Sequence, residues 1–241
     1  MAETNREDRP VAVVTGAGSG IGAAVCRRLH DRGVRVGLVG RNEAKLRNVG
    51  AALGVESEDW ATLPTDVADS EAAAGLVPRA LEAFGRFDVL INNAGSTPLK
   101  PIAEHTEEDV AMLFAVNATG SLAAVRAALP VMVDAGGGTI VNVSSMASAD
   151  PFPGLGVYGS AKAAMNTMAK AIANEYGQHG VRAYAVAPGA VDTPLLRSLF
   201  PESVMPAEKC LSPERVAAVV VACALGESGE ANGETVWLPS P

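Results

Sequence analysis

The chain has 241 residues, a formal net charge of −8, 48% hydrophobic residues and only 4% aromatic residues. That length and apolar content suit one large core, so a single domain over residues 1–241 is expected. The acidic balance, with no Lys/Arg cluster interleaved with aromatics, excludes a nucleic-acid binder.

The N-terminal stretch MAETNREDRP is charged and has no long apolar run behind it. The longest hydrophobic block, VAAVVVACAL at 216–225, is too short to span a bilayer. A soluble, cytoplasmic protein with no membrane partner is expected. Cys26, Cys210 and Cys223 are odd in number and lack CxxC spacing, which argues against a disulfide framework or a metal site.

In chain order, β-branched apolar runs predict strands at 10–15 (PVAVVT), 34–39 (VRVGLV), 60–65 (WATLPT), 87–92 (FDVLIN), 138–144 (GTIVNVS), 181–187 (VRAYAVA) and 234–238 (ETVWL). Between them, Ala-rich patterns predict helices at 20–32, 42–53, 69–84, 107–133, 157–178 and 213–225. Thr106 before Glu107, Glu108 and Asp109, and Ser212 before Pro213 and Glu214, read as helix N-caps. The alternation is that of βαβ units, and the central strands lack polar alternation, as strands covered on both faces should. An α/β, Rossmann-type doubly wound parallel sheet of about seven strands, with helices on both faces, is the expected fold. In such sheets ligands bind beyond the carboxyl ends of the strands.

The first strand runs directly into Thr15-Gly16-Ala17-Gly18-Ser19-Gly20-Ile21-Gly22 and then a helix. Glycines there permit a tight turn and let backbone N–H groups at the helix start meet a pyrophosphate, so Gly16, Gly18, Ser19, Gly20, Ile21 and Gly22 are candidate cofactor contacts. Tyr158 and Lys162 stand at i and i+4 of a predicted helix, which puts phenol and ammonium on one face and lets the cation favour the phenolate. Ser144 and Ser145 end the fifth strand, with Ser145 lying 13 residues before Tyr158. A hydroxyl there can hydrogen-bond and orient a substrate oxygen.

The TGxxxGxG spacing resembles the short-chain dehydrogenase/reductase family, and the resemblance extends over nearly the whole chain. Asn92-Asn93-Ala94-Gly95 is similar to that family's NNAG element, Asp66-Val67 to its adenine-contacting pair, and Pro188-Gly189 with Thr193 to its nicotinamide-side PGxxxT segment. The resemblance implies strand order 3-2-1-4-5-6-7 and one domain that carries both cofactor and substrate sites. It adds Asp66, Val67, Asn93, Ala94, Gly95, Pro188, Gly189, Val191 and Thr193 to the cofactor contacts, with Tyr158 and Lys162 serving there too.

It also implies an oxidoreductase that moves a hydride between nicotinamide and a carbonyl or secondary alcohol. Tyr158 would be the general acid/base, and Lys162 would lower its pKa and bind ribose. Ser145, the second serine of the VSS step, aligns with the family's catalytic serine. Asn117 matches the asparagine that holds a water linking Lys162 to solvent.

After the second strand the chain reads Gly40-Arg41-Asn42, with no carboxylate to repel a 2′-phosphate and a guanidinium able to bind one. NADP is therefore expected over NAD, although Ser19 stands where many NADP-preferring relatives carry a second basic residue. Segments 96–101, 146–155 and 190–211 should shape the substrate side. Met146, Phe152, Leu155, Leu195, Leu196 and Phe200 suit an apolar or aromatic carbonyl compound, with Ser145 and Tyr158 as its polar contacts. A carbonyl or 3-oxoacyl-type reductase is expected, with a non-catalytic NADP-binding redox sensor as the alternative. Family relatives pair through the two long helices after strands 4 and 5, which implies a homodimer or homotetramer. The tail Trp237-Leu238-Pro239-Ser240-Pro241 departs from the family's VDGG-like ending.

Overall fold

The computed structural model describes residues 8–54 and 58–241, so the first seven residues of the charged N-terminal stretch lie outside the described residues. Seven strands form one parallel sheet: β1 (Val11–Thr15), β2 (Arg35–Gly40), β3 (Trp60–Pro64), β4 (Val89–Asn92), β5 (Gly138–Val143), β6 (Val181–Pro188) and β7 (Thr235–Leu238). Their order is β3-β2-β1-β4-β5-β6-β7, as the family resemblance implied. The chain reverses direction across the sheet between β1 and β4, which opens a crevice at the carboxyl ends of those strands.

The period-2 alternation of the strands divides the core in two. On one face Ala12, Val14, Val141 and Val186 pack against Val25 and Leu29 of α1 (Gly20–Asp31), Leu46 of α2 (Glu43–Ala52) and Val216 and Val220 of α9 (Pro213–Leu225). On the other, Val11, Val13, Leu90 and Ile140 pack against Leu76 and Ala80 of α4 (Leu76–Phe84), Ala124 and Met132 of α6 (Gly120–Asp134) and Ile172 of α7 (Gly156–Tyr176). Both faces being covered explains the unbroken apolar strands.

The predicted helix over 69–84 is two: α3 (Ser70–Ala74), capped by Asp69 Oδ1 on Glu71 N and Ala72 N at 2.9 and 3.1 Å, and then α4. Pro78, lacking an N–H, cannot bond the carbonyl at the end of α3, and the ladder breaks there.

The predicted helix over 107–133 is likewise interrupted. It runs as α5 (Glu107–Phe114), a π-helical turn over Ala115–Thr119, and α6. Asn117 Nδ2 donates to Leu113 O at 2.9 Å and occupies a carbonyl that the α-helical ladder would use. Such widened turns accompany functional sites. This 28-residue rod is long and apolar enough to cross a bilayer, a property not expected from the sequence. Its inner face, however, is built into the second core through Ala124, Ala128 and Met132.

One short helix was not foreseen at all: α8 (Pro194–Leu199), capped by Thr193 Oγ1 on Leu196 N at 3.3 Å. The expected caps at Thr106 and Ser212 are present. Thr106 forms a reciprocal capping box with Asp109, and Ser212 Oγ accepts from Arg215 N at 3.2 Å.

Candidate active site

The end of β1 and the start of α1 build the first wall. Gly16 (φ +68°) and Gly20 (φ +52°) occupy left-handed backbone that side chains disfavour. Ser19, at the N-cap of α1, gives no side-chain cap, so the opening N–H groups of the helix lack a side-chain acceptor. These groups and the helix dipole fit an anionic group such as a pyrophosphate. Gly22 is required for a different reason, since a Cβ there would collide with Gly16 O and lie 2.6 Å from Asn93 Nδ2.

Asn93 joins the glycine turn to β4. Its Nδ2 donates to Thr15 O at 2.8 Å, while Thr15 Oγ1 accepts from Asn93 N and Ala94 N at 2.9 and 3.0 Å. The two motifs, far apart in sequence, thus form a single hydrogen-bonded unit.

A cavity of about 390 Å³ opens beyond β1, β4, β5 and β6, lined by Gly16, Ser19, Gly20, Ile21, Asn93, Ala94, Gly95, Ser145, Tyr158, Lys162, Pro188, Gly189, Val191 and Thr193. The serines at the end of β5 separate in their contacts. Ser144, buried, donates to Lys162 O at 2.9 Å and braces α7. Ser145 Oγ accepts from Ala147 N at 3.2 Å and lies near enough to the Tyr158 hydroxyl to counter part of its upward shift.

Lys162 is 2% exposed, donates from Nζ to Val143 O at 2.8 Å and lies 5.7 Å from the centre of the Tyr158 ring. Burial pushes the Tyr158 phenol up to about 12, an effect that the bond with Ser145 reduces. Burial pushes the Lys162 ammonium down to about 8. Desolvation is the largest cause for both groups, so in the protein without cofactor the phenol lies above its ordinary value and the ammonium below. The protein by itself therefore holds the phenol protonated at neutral pH.

Asn117 stands behind the cavity, fully buried in the π-helical turn. Its side chain is committed to structure, with Nδ2 donating to Ser96 O and Leu113 O at 2.8 and 2.9 Å and Oδ1 accepting from Ser96 N at 3.2 Å. A Cβ on Gly95 would lie 2.9 Å from Asn117 Oδ1 and 3.4 Å from Lys162 Nζ, so Asn117 and Lys162 flank the same glycine.

Other predicted residues lie away from the cavity. Gly18, Gly22, Arg41, Asn42, Asp66 and Val67 do not line it. The last four follow β2 and β3, on the wing of the sheet beside the glycine turn. Arg41 is exposed and makes no hydrogen bond or ion pair among the described residues. Asn42 caps α2 by accepting from Lys45 N at 3.0 Å, and Asp66 Oδ1 accepts from Ala68 N at 3.0 Å.

The substrate-side residues Met146, Phe152, Leu155, Leu195 and Leu196 all line the cavity. Phe152 and Phe200, both in the cavity lining, meet edge to face with centroids 5.8 Å apart. Thr97, Asp150, Leu199 and Met205, which fall within the expected substrate-side segments 96–101, 146–155 and 190–211 but were not singled out there, also line it. The Thr193-Pro194 step is the cap-plus-proline signal that would have disclosed α8 and, with it, Leu199. The excursion carrying α8 is pinned at its base by Leu211 N to Ala190 O at 2.8 Å and Asp192 N to Leu211 O at 2.9 Å. Within it Arg197 donates to Asp192 Oδ1 at 2.7 Å and to Met205 O at 2.5 Å.

Residues 10–203 match the short chain dehydrogenase family. Among curated relatives, an uncharacterized oxidoreductase of Staphylococcus aureus strain MW2 is 35% identical over 211 residues, covering 88% of this chain and 89% of the relative. An uncharacterized oxidoreductase of Staphylococcus saprophyticus is 36% identical over 188 residues, covering 77% and 80%. Among solved structures, the 3-ketoacyl-(acyl-carrier-protein) reductase from Brucella melitensis complexed with NADH superposes with a TM-score of 0.86 at 27% identity, over 95% of this chain and 96% of that one.

Proposed function

The chain belongs to the short-chain dehydrogenase family of nicotinamide-dependent oxidoreductases, and from that membership we propose that it is an NADP-dependent reductase of carbonyl or 3-oxoacyl-type substrates. The observation that carries this reading is the convergence of Ser145, Tyr158 and Lys162 on one cavity continuous with the glycine turn. The bound nicotinamide would supply the hydride. Tyr158, held protonated, donates its proton to the oxygen that gains charge as the carbonyl is reduced. Ser145 orients that oxygen beside the phenol, and Lys162 provides a cation behind the ring and a donor for ribose. Asn117 holds the turn beside Lys162 where a proton-relaying water would enter.

Arg41 is the ligand for the 2′-phosphate in this reading, which its exposure and its lack of a partner among the described residues support. The 3-oxoacyl option draws on the Brucella reductase, and the apolar wall from Met146 to Phe200 supports an apolar carbonyl compound. Oxidation of NADPH by the purified protein across ketones, aldehydes, diketones and 3-oxoacyl thioesters tests the assignment. Turnover with one class supports it, and tight NADPH binding without any turnover contradicts it.

The lowered ammonium sets a pH dependence. A lysine depressed to about 8 is cationic below that value and neutral above it, whereas the phenol keeps its proton until about 12. The kcat/KM for reduction should therefore hold level through neutral pH and fall as pH rises through about 8. A profile that climbs steadily through that range would contradict the role given to Lys162.

We also propose a homodimer or homotetramer. Met112 and Leu122, on the outer face of the α5–α6 rod, are 58% and 44% exposed and would be covered by a second copy. A molar mass in solution equal to one 24.6 kDa chain would contradict this.

A further inference from the structure

The segment after β7 reaches back to the cavity wall from outside. β7 pairs with β6 through Pro188 and Leu238, and Gly189 N donates to Leu238 O at 2.8 Å. Two residues beyond the strand, Ser240 Oγ accepts from Ala190 N at 2.7 Å and makes a longer contact of 3.4 Å to Ala190 O. Ala190 O also accepts from Leu211 N at 2.8 Å, at the base of the excursion that carries α8. Both polar atoms of the Ala190 backbone are thus engaged, the N–H by Ser240 and the carbonyl by Leu211.

Gly189 shows how close this approach is. A Cβ there would collide with Ser240 Oγ and lie 2.9 Å from Ser240 N. The glycine of the PG step is therefore required, in this chain, by the tail behind it. Gly189 and Ala190 line the cavity while Ser240 does not, so the serine backs the wall without entering the site.

We infer that Ser240 is a positioning residue that fixes the Gly189–Ala190 wall for the nicotinamide half of the cofactor and ties that wall to the base of the substrate-side excursion. The inference rests on the cofactor reading proposed above. The bonds from Gly189 N to Leu238 O and from Leu211 N to Ala190 O hold the peptide from either side, and Ser240 Oγ supplies the acceptor for Ala190 N between them. Without the hydroxyl, Ala190 N–H loses its acceptor, and the wall can shift away from the cavity into the space that the serine occupied.

The test is Ser240→Ala, titrated with NADPH by fluorescence in the absence of substrate, with thermal melting of the cofactor-free protein alongside. Losing one backbone hydrogen bond to a side chain should weaken NADPH roughly fivefold and lower kcat in step, while the melting temperature falls by no more than about 4 °C. A purely structural role would lower the melting temperature and leave the NADPH dissociation constant within about twofold of wild type, and that result overturns the inference. Failure of the wild type to bind NADPH or NADH would instead remove the cofactor reading, and this inference with it. Wild-type binding that Ser240→Ala leaves unchanged removes the inference alone.

Discussion

Tyr158→Phe is expected to lower carbonyl reduction by roughly 10²- to 10⁴-fold, the range that a positioned general acid supplies, while NADPH binding stays close to wild type. Burial keeps the phenol protonated well above neutral pH, and Ser145 stands beside it at the cavity. Lys162 cannot replace it, because its Nζ is 2.8 Å from Val143 O and it is almost wholly buried behind the ring. Removing the hydroxyl deletes the proton donor and frees Ser145 Oγ, which still accepts from Ala147 N at 3.2 Å, so the local fold should hold. Steady-state kinetics with fluorescence titration separates the two effects. A variant that keeps more than about a tenth of wild-type turnover would remove Tyr158 from the acid role.

Arg41→Asp should weaken NADPH roughly 10- to 100-fold, the loss of a charge-assisted phosphate contact compounded by repulsion, and change NADH affinity by less than about threefold. The side chain is exposed and has no partner among the described residues, so its replacement breaks nothing that the fold uses. Solvent screening at such a site keeps the effect below that of a buried pair. The opposite outcome is equally readable. NADPH and NADH weakened alike, or neither weakened, would assign Arg41 to the solvated start of α2 and leave NAD as the cofactor.

The strands and the glycine turn were legible because both rest on local rules, whereas the order of the strands came from the family resemblance. Continuous β-branched strands report burial on two faces, and the glycines report backbone that only they can adopt or approach closely. The breaks in the helices were not legible for opposite reasons. At 69–84 the signal was present in Pro78, whose missing N–H stops the ladder. At Asn117 the widened turn combines a bond to Leu113 O with bonds to Ser96, a residue 21 positions away that no local pattern points to.

The catalytic set illustrates the same division. Spacing brings Tyr158 and Lys162 to one face of α7, but Ser144 and Ser145 are adjacent serines just beyond β5, and it is the bond from Ser144 to Lys162 O that sets them apart. The electrostatics were the least accessible. An ammonium one turn from a phenol suggests a lowered pKa, whereas burial of both groups drives the phenol up and the ammonium down. α8 and the contact of Ser240 with Ala190 also depend on tertiary placement, the latter joining residues 50 positions apart.

The most direct test of the central claim is to follow a label from cofactor to product. The protein is incubated with NADPH deuterated at the nicotinamide C4 position, each diastereomer in turn, and an apolar aryl ketone, and the product alcohol is analysed by mass spectrometry. One deuterium is expected on the carbinol carbon from one diastereomer, lost in Tyr158→Phe together with turnover. NADPH bound tightly with no labelled alcohol from any carbonyl class would contradict it and identify a protein that senses the cofactor without using it.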